Sequence, residues 1–274
     1  MPDRAPTFEL AFQLSGELVG REMLTEEDLK GLSEEETEAK LRKNAALLAE
    51  VYTLLAHDAI CIQYLNPAHI ARTAALLREM TGDRFLLLAH GDGALAIPDG
   101  DGMYELRCAL YEEPEALKEK CRRRADEVIA RNDALLDGGL DGFILCSDYC
   151  FNQGPFMSPA MFSEFVAPCL RDIIAAIRKK GGYAIKHTDG NIMPILDQLV
   201  DCRPPCPPFA GSHGGGGYPA GEGEGGRPGG AVRERALRRA ADGHRAGRDR
   251  LGGVLPPLRQ ARRRVRVLHQ QHSL

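Results

Sequence analysis

The chain has 274 residues, 43% hydrophobic and 27% charged, which is ordinary for a globular protein and leaves room for one large or two ordinary domains. No apolar run approaches the ~20 residues that span a bilayer, and the opening MPDRAPTFEL lacks the basic-then-apolar pattern of a secretory leader, so a cytoplasmic protein with no membrane partner is expected. Residues 1–202 carry 21 Lys+Arg against 34 Asp+Glu (−13) and residues 203–274 carry 14 Arg against 5 Asp+Glu (+9), for −4 overall; the acidic body argues against nucleic acid as its partner.

In chain order, Ser33 caps a helix with an acidic first turn and apolar residues at helical spacing, SEEETEAKLRKNAALLAEVYTLLA. AICIQYL (59–65) is too short and apolar to prefer a helix and reads as a first strand. Asn66-Pro67 supplies the cap and first-turn proline of the helix PAHIARTAALLREM. FLLLAH (85–90) reads as a second buried strand. A Gly/Asp-rich linker leads to a helix from about Pro114 to Leu136, stopped by Gly138-Gly139. GFILCSD (142–148) is the third strand, Ser158-Pro159 opens a helix reaching Lys180, YAIKH (183–187) is the fourth strand, and a last helix runs from Asn191 to about Val200. Four apolar strands, each followed by a helix, imply a parallel sheet covered on both faces. No GxGxxG follows the first strand, which weighs against a dinucleotide-binding sheet.

The polar residues favour a TIM (β/α)8 barrel. Gln63, Tyr64 and Asn66 follow the first strand, His90 and Asp92 the second, Asp148, Asn152 and Gln153 the third, His187 and Asp189 the fourth. In a barrel all of these converge on the C-terminal mouth, where its active sites lie. Each also admits a bland reading. His187 ends an apolar strand, as a core histidine would; Asp148 could cap its loop; Asn152 and Gln153 suit ordinary loop hydrogen bonds; Ser158 is a helix cap. The eight cysteines show no CxxC pair or framework spacing, and Cys146 and Cys150 read better as buried thiols than as ligands.

Three stretches resemble the uroporphyrinogen decarboxylase (URO-D) superfamily: PDRAP at the start, SDYCFNQGPFMSPAMFSEFVAPCLRDIIAAI (147–177), and KHTDGNIMPILDQLVD (186–201). The resemblance implies a TIM barrel. It implies either a cofactor-free decarboxylase of porphyrinogen acetates, as in porphyrin biosynthesis, or a methyltransferase that exchanges methyl groups with a corrinoid protein, usually through Zn2+. On this resemblance Asp148, His187 and Asp189 are the candidate catalytic residues, His187 and Asp189 the candidate metal ligands, and His90, Tyr149, Asn152 and Gln153 candidates for binding a small-molecule substrate. Two departures stand out. TFELAFQLSGELVG lacks the arginines with which the decarboxylases hold substrate carboxylates. The His-x-Cys pair of the zinc methyltransferases is here His187-x-Asp189, which retains a possible ligand and loses the soft thiolate. Methyl transfer is therefore the leading expectation and porphyrinogen decarboxylation the alternative.

Residues 203–274 contain no Lys, Ile, Met, Asn or Thr, yet hold 15 of the 30 Gly. Disordered tails usually keep Lys and Thr. An off-frame reading of GC-rich DNA gains Arg, Gly and Pro in this way. Codons can be chosen so that RPPCPPFAGSH, read one base on, gives GLHALHSLDP, a plausible fifth strand. VRERALRR then permits LCGNVHCG, and RQARRRVRVLHQQ permits RPGGGYVFSTSN. The expectation is a disordered, out-of-frame tail behind an N-terminal barrel part (residues 1–202), with at most a short helix near 231–241 and an inactive chain as it stands. A non-enzymatic protein binding nucleic acid through a Gly/Arg-rich arm is the reading from another class.

Overall fold

A computed structural model describes residues 6–98, 100 and 102–202. The described residues form two compact units, divided between Leu86 and Leu87. The tail expectations, including the short helix near 231–241, lie outside the described residues.

In the first unit, the short helix α1 (Ser15–Val19) precedes α2 (Glu34–Leu54), strand β1 (Ala59–Ile62) and α3 (Pro67–Thr81). The capping box at Ser33 forms as its sequence dictates: the Glu36 amide donates to the Ser33 hydroxyl at 3.3 Å, and the Ser33 amide donates to the Glu36 carboxylate at 2.9 Å. Asn66 caps α3 in the same manner, accepting from the His69 amide at 2.9 Å, with Pro67 in the first turn. The Glu26 carboxylate braces that cap, accepting from the Asn66 amide and lying 2.9 Å from His69 Nδ1. β1 is buried at every position. The Leu86 amide donates to the carbonyl of Asp58 at 3.0 Å, the first rung beside β1.

The second unit begins inside β2 (Leu86–His90) and continues through α4 (Gly102–Glu112), α5 (Pro114–Asp137), β3 (Gly142–Leu145), a two-rung hairpin of β4 (Cys150–Phe151) and β5 (Gly154–Pro155), α6 (Pro159–Met161), α7 (Ala167–Lys179), β6 (Tyr183–Lys186) and α8 (Leu196–Asp201). β2 pairs parallel to β3, and β3 parallel to β6, with Leu145 opposite Lys186. Parallel pairing requires crossovers, which α5 and α7 supply. Ala167, Leu170, Ile173, Ile174 and Ile177 form the buried stripe of α7, which packs on α5. Gly142 allows the closest approach in the sheet, since a Cβ there would run into the Tyr183 carbonyl.

The result is a mixed α/β fold with parallel strands within one residue of their expected starts. Four details differ, the first being that the helix expected from Asn191 starts with a 3-10 turn over Met193–Ile195 and becomes α-helical only at Leu196. The linker before Pro114 contains α4, whose Met103, Leu106 and Leu110 follow helical spacing under flanking Gly and Asp. The hairpin β4–β5 interrupts the third βα connection. The long helix after Ser158 is broken by a π-helical turn over Phe162–Val166, in which the Ala167 amide reaches back to the Phe162 carbonyl. Pro168 follows at once and has no N–H to donate, so an α-helical ladder could not run through unbroken.

Candidate functional site

The C-terminal ends of β3 and β6 lie side by side, and two short loops leave them. The His187 amide donates to the Leu145 carbonyl at 2.9 Å, extending the ladder by one rung. Beyond it the loops are joined by three bonds. The Tyr149 amide donates to the Thr188 hydroxyl (3.2 Å), the Asp189 amide to Asp148 Oδ1 (2.9 Å), and the Asn191 amide to the Phe151 carbonyl (3.0 Å). Gly190 completes the turn at φ +84°; a Cβ there would stand 2.5 Å from the Cys150 carbonyl, so glycine is required on two counts.

This joining gathers Asp148, His187 and Asp189, whose ligand atoms lie within 4.8 Å of one another. His187 Nε2 is 3.5 Å from Asp189 Oδ1; the imidazole is 37% exposed and the carboxylate 79%. The group is open on one side and backed by protein on the other, as a site that admits a ligand must be. One imidazole and two carboxylates form a hard-to-borderline donor set, suited to Zn2+ or a harder divalent ion. Cys146 and Cys150 stand outside the group, and burial pushes both thiols up, toward the protonated form that is neither nucleophile nor ligand.

The other candidates are placed apart. His90 is exposed at the end of β2, paired in register with Ile144, and is not among the clustered ligands. Asn152 and Gln153 are exposed at the tip of the β4–β5 hairpin. Tyr149 is buried, its ring edge-on to Phe162 at 5.1 Å between centroids, and burial holds its phenol well above the ordinary range. Gln63 and Tyr64 belong to the first unit, where Gln63 donates to the Leu10 carbonyl and the Tyr64 hydroxyl accepts from Gln13.

Behind the cluster stand Lys186, which was not among the candidates, and Asp92, which was read only as one of the polar residues after the second strand. Lys186 Nζ is 3.1 Å from Asp92 Oδ2, with the side chains only 18% and 8% exposed. Burial drives the lysine below its ordinary range despite that carboxylate. Burial acts to raise Asp92, and is outweighed by the Lys186 charge and by the Ser147 and Ala94 amides, which hold the carboxyl low. The available signal was a lysine closing an apolar strand, where a buried charge demands a partner.

Residues 96–206 match the family described as uroporphyrinogen decarboxylase (URO-D). No curated protein matches the chain. Among solved structures, a methyltransferase from Methanosarcina mazei is similar at 14% identity and a TM-score of 0.49, over 60% of this chain and 62% of that one. Among the described residues no helix is long and apolar enough to cross a membrane. The site-bearing segments 147–177 and 186–201 both lie inside the region that matches the uroporphyrinogen decarboxylase family.

Proposed function

We propose that this chain carries part of a methyl-transferring member of the superfamily, with Asp148, His187 and Asp189 as its working groups. The observation that carries the reading is the gathering of these three side chains at adjacent parallel strand ends. The βα units are read as the leading part of a (β/α)8 barrel, whose mouth those strand ends would form. A metal is proposed to be held by His187 Nε2 with Asp148 and Asp189, and a divalent ion there would supply Lewis-acid activation of a small methyl donor or acceptor. Asp189 would share the ion with the imidazole, and Asp148, whose Oδ1 already accepts the Asp189 amide, would hold the two loops together around it. A corrinoid protein is the proposed methyl partner.

Residues beyond 202 are proposed to be an out-of-frame reading. One observation supports this: the family match ends at residue 206, a few residues after the composition changes. Sequencing the gene around the Cys202 codon tests it directly; an uninterrupted frame through the tail would exclude it.

The chemistry is tested on the chain read through in the alternative frame, with methylcobalamin and a small thiol as probes and Zn2+ supplied. Loss of the cobalt-bound methyl with formation of the thioether is expected, and its abolition in His187→Ala. Release of carbon dioxide from a porphyrinogen polyacid with no methyl transfer would replace this reading by decarboxylation.

A further inference from the structure

Four oxygens converge on one point behind the candidate site: the carbonyls of Leu145 (3.0 Å), Ser147 (2.8 Å) and His187 (2.8 Å), and Oδ2 of Asp92 (3.1 Å). That point is filled by Nζ of Lys186, which also lies 4.5 Å from the centre of the buried Tyr149 ring. Carbonyls and a carboxylate converging on one point are the donor set of a bound hard cation. Here the cation is tethered to the strand it serves. The oxygens come from both strand ends that carry the cluster: Leu145 and Ser147 lead into Asp148, and His187 is itself a member. Asp92 brings in the loop after β2, since Oδ2 also accepts from the Ser147 amide at 3.0 Å and Oδ1 from the Ala94 amide at 2.9 Å. An ion pair buried this deeply adds little net stability over an apolar pair of the same volume, so its effect lies in geometry.

We propose that Lys186 is a tethered internal cation that sets the spacing between the Asp148 loop and the His187–Asp189 loop. It is a positioning residue: it acts through the backbone carbonyls and need not touch a substrate. The proposal rests on reading Asp148, His187 and Asp189 as the working site, but its test does not depend on that reading alone.

The test uses the full chain and the variant Lys186→Ala, which opens the cage to a free cation. Amide hydrogen exchange at 146–149 and 187–190 is expected to quicken at least tenfold while α5 and α7 keep their protection. Added n-propylammonium, the fragment removed, should restore protection, and tetramethylammonium at the same ionic strength should not. Zn2+ affinity should fall about tenfold and recover with the same amine. Unchanged exchange at both loops, protection lost evenly across the second unit, or equal effects of the two amines each overturn the proposal. If Lys186→Ala does not fold, Asp92→Ala removes one leg of the cage and should loosen the same loops; unchanged exchange in that variant overturns the proposal as well. If the wild-type chain takes up no Zn2+, the metal reading fails and the exchange result still decides the role of Lys186.

Discussion

β3 and β6 are adjacent parallel strands of four residues each, yet β3 is buried at every position and β6 at none. Their sequences, GFIL and YAIK, both have apolar interiors, though β6 ends on the charged Lys186. The difference lies in what flanks them. β3 has β2 on one side and β6 on the other, whereas β6 has only β3 among the described residues. Apolar content makes a strand; neighbours bury it. Among the described residues β6 is the last strand of this sheet, close to the point where the composition shifts to Arg, Gly and Pro.

The largest effect that sharpens the contrast is on β3. Phe143 is fully buried and lies against Gly91, so Phe143→Ala should cost about 3–5 kcal/mol in urea unfolding. Ile185→Ala on β6, in a partly open setting, should cost about 1–2 kcal/mol. Equal losses would break the contrast and mean that β6 is covered after all. In the frame-corrected chain the Ile185→Ala cost should rise toward the core value, because a fifth strand would close that edge.

A smaller effect concerns acid. Asp92 has a folded-state pKa below its unfolded value, so the unfolded chain binds more protons as carboxylates titrate. Its contribution is complete above the unfolded carboxylate range, near 4, and is lost as pH falls through the folded pKa. Urea midpoints from pH 7 down to pH 3 should fall less steeply for Asp92→Asn than for wild type. Parallel slopes would show that the Lys186 cage contributes nothing to acid stability.

Much of this architecture was legible from local chemistry. Ser33, Asn66-Pro67 and Ser158-Pro159 announce helix starts because their side chains or missing N–H groups satisfy the first turn. The short apolar runs announce buried strands. The π-turn was not legible, since it depends on how Pro168 meets a helix already under way. α4 was hidden because Gly and Asp on its flanks outweighed three apolar residues at helical spacing. In the site, the strand-end positions gave a wider set that included His90, Asn152 and Gln153, and the resemblance narrowed it to Asp148, His187 and Asp189, which parallel register brings together. Lys186 and the role of Asp92 were not legible: their pairing spans 94 residues and depends on a side chain turning back under its own strand end. Tyr149 sits among polar neighbours in sequence, and only packing against Phe162 and Lys186 shows it to be interior.

The central claim is that His187 belongs to a ligand-binding cluster and not to the core. Thermal unfolding of the wild-type and His187→Ala chains, each with and without saturating Zn2+, addresses it most directly. A partly exposed histidine whose ring pairs with Asp189 among the described residues should cost less than about 1 kcal/mol when removed. Zn2+ should raise the wild-type midpoint, because a ligand bound only by the native state stabilises it, and should leave the variant unmoved. A variant that loses several kcal/mol without metal, or one that Zn2+ stabilises as fully as wild type, would contradict the account.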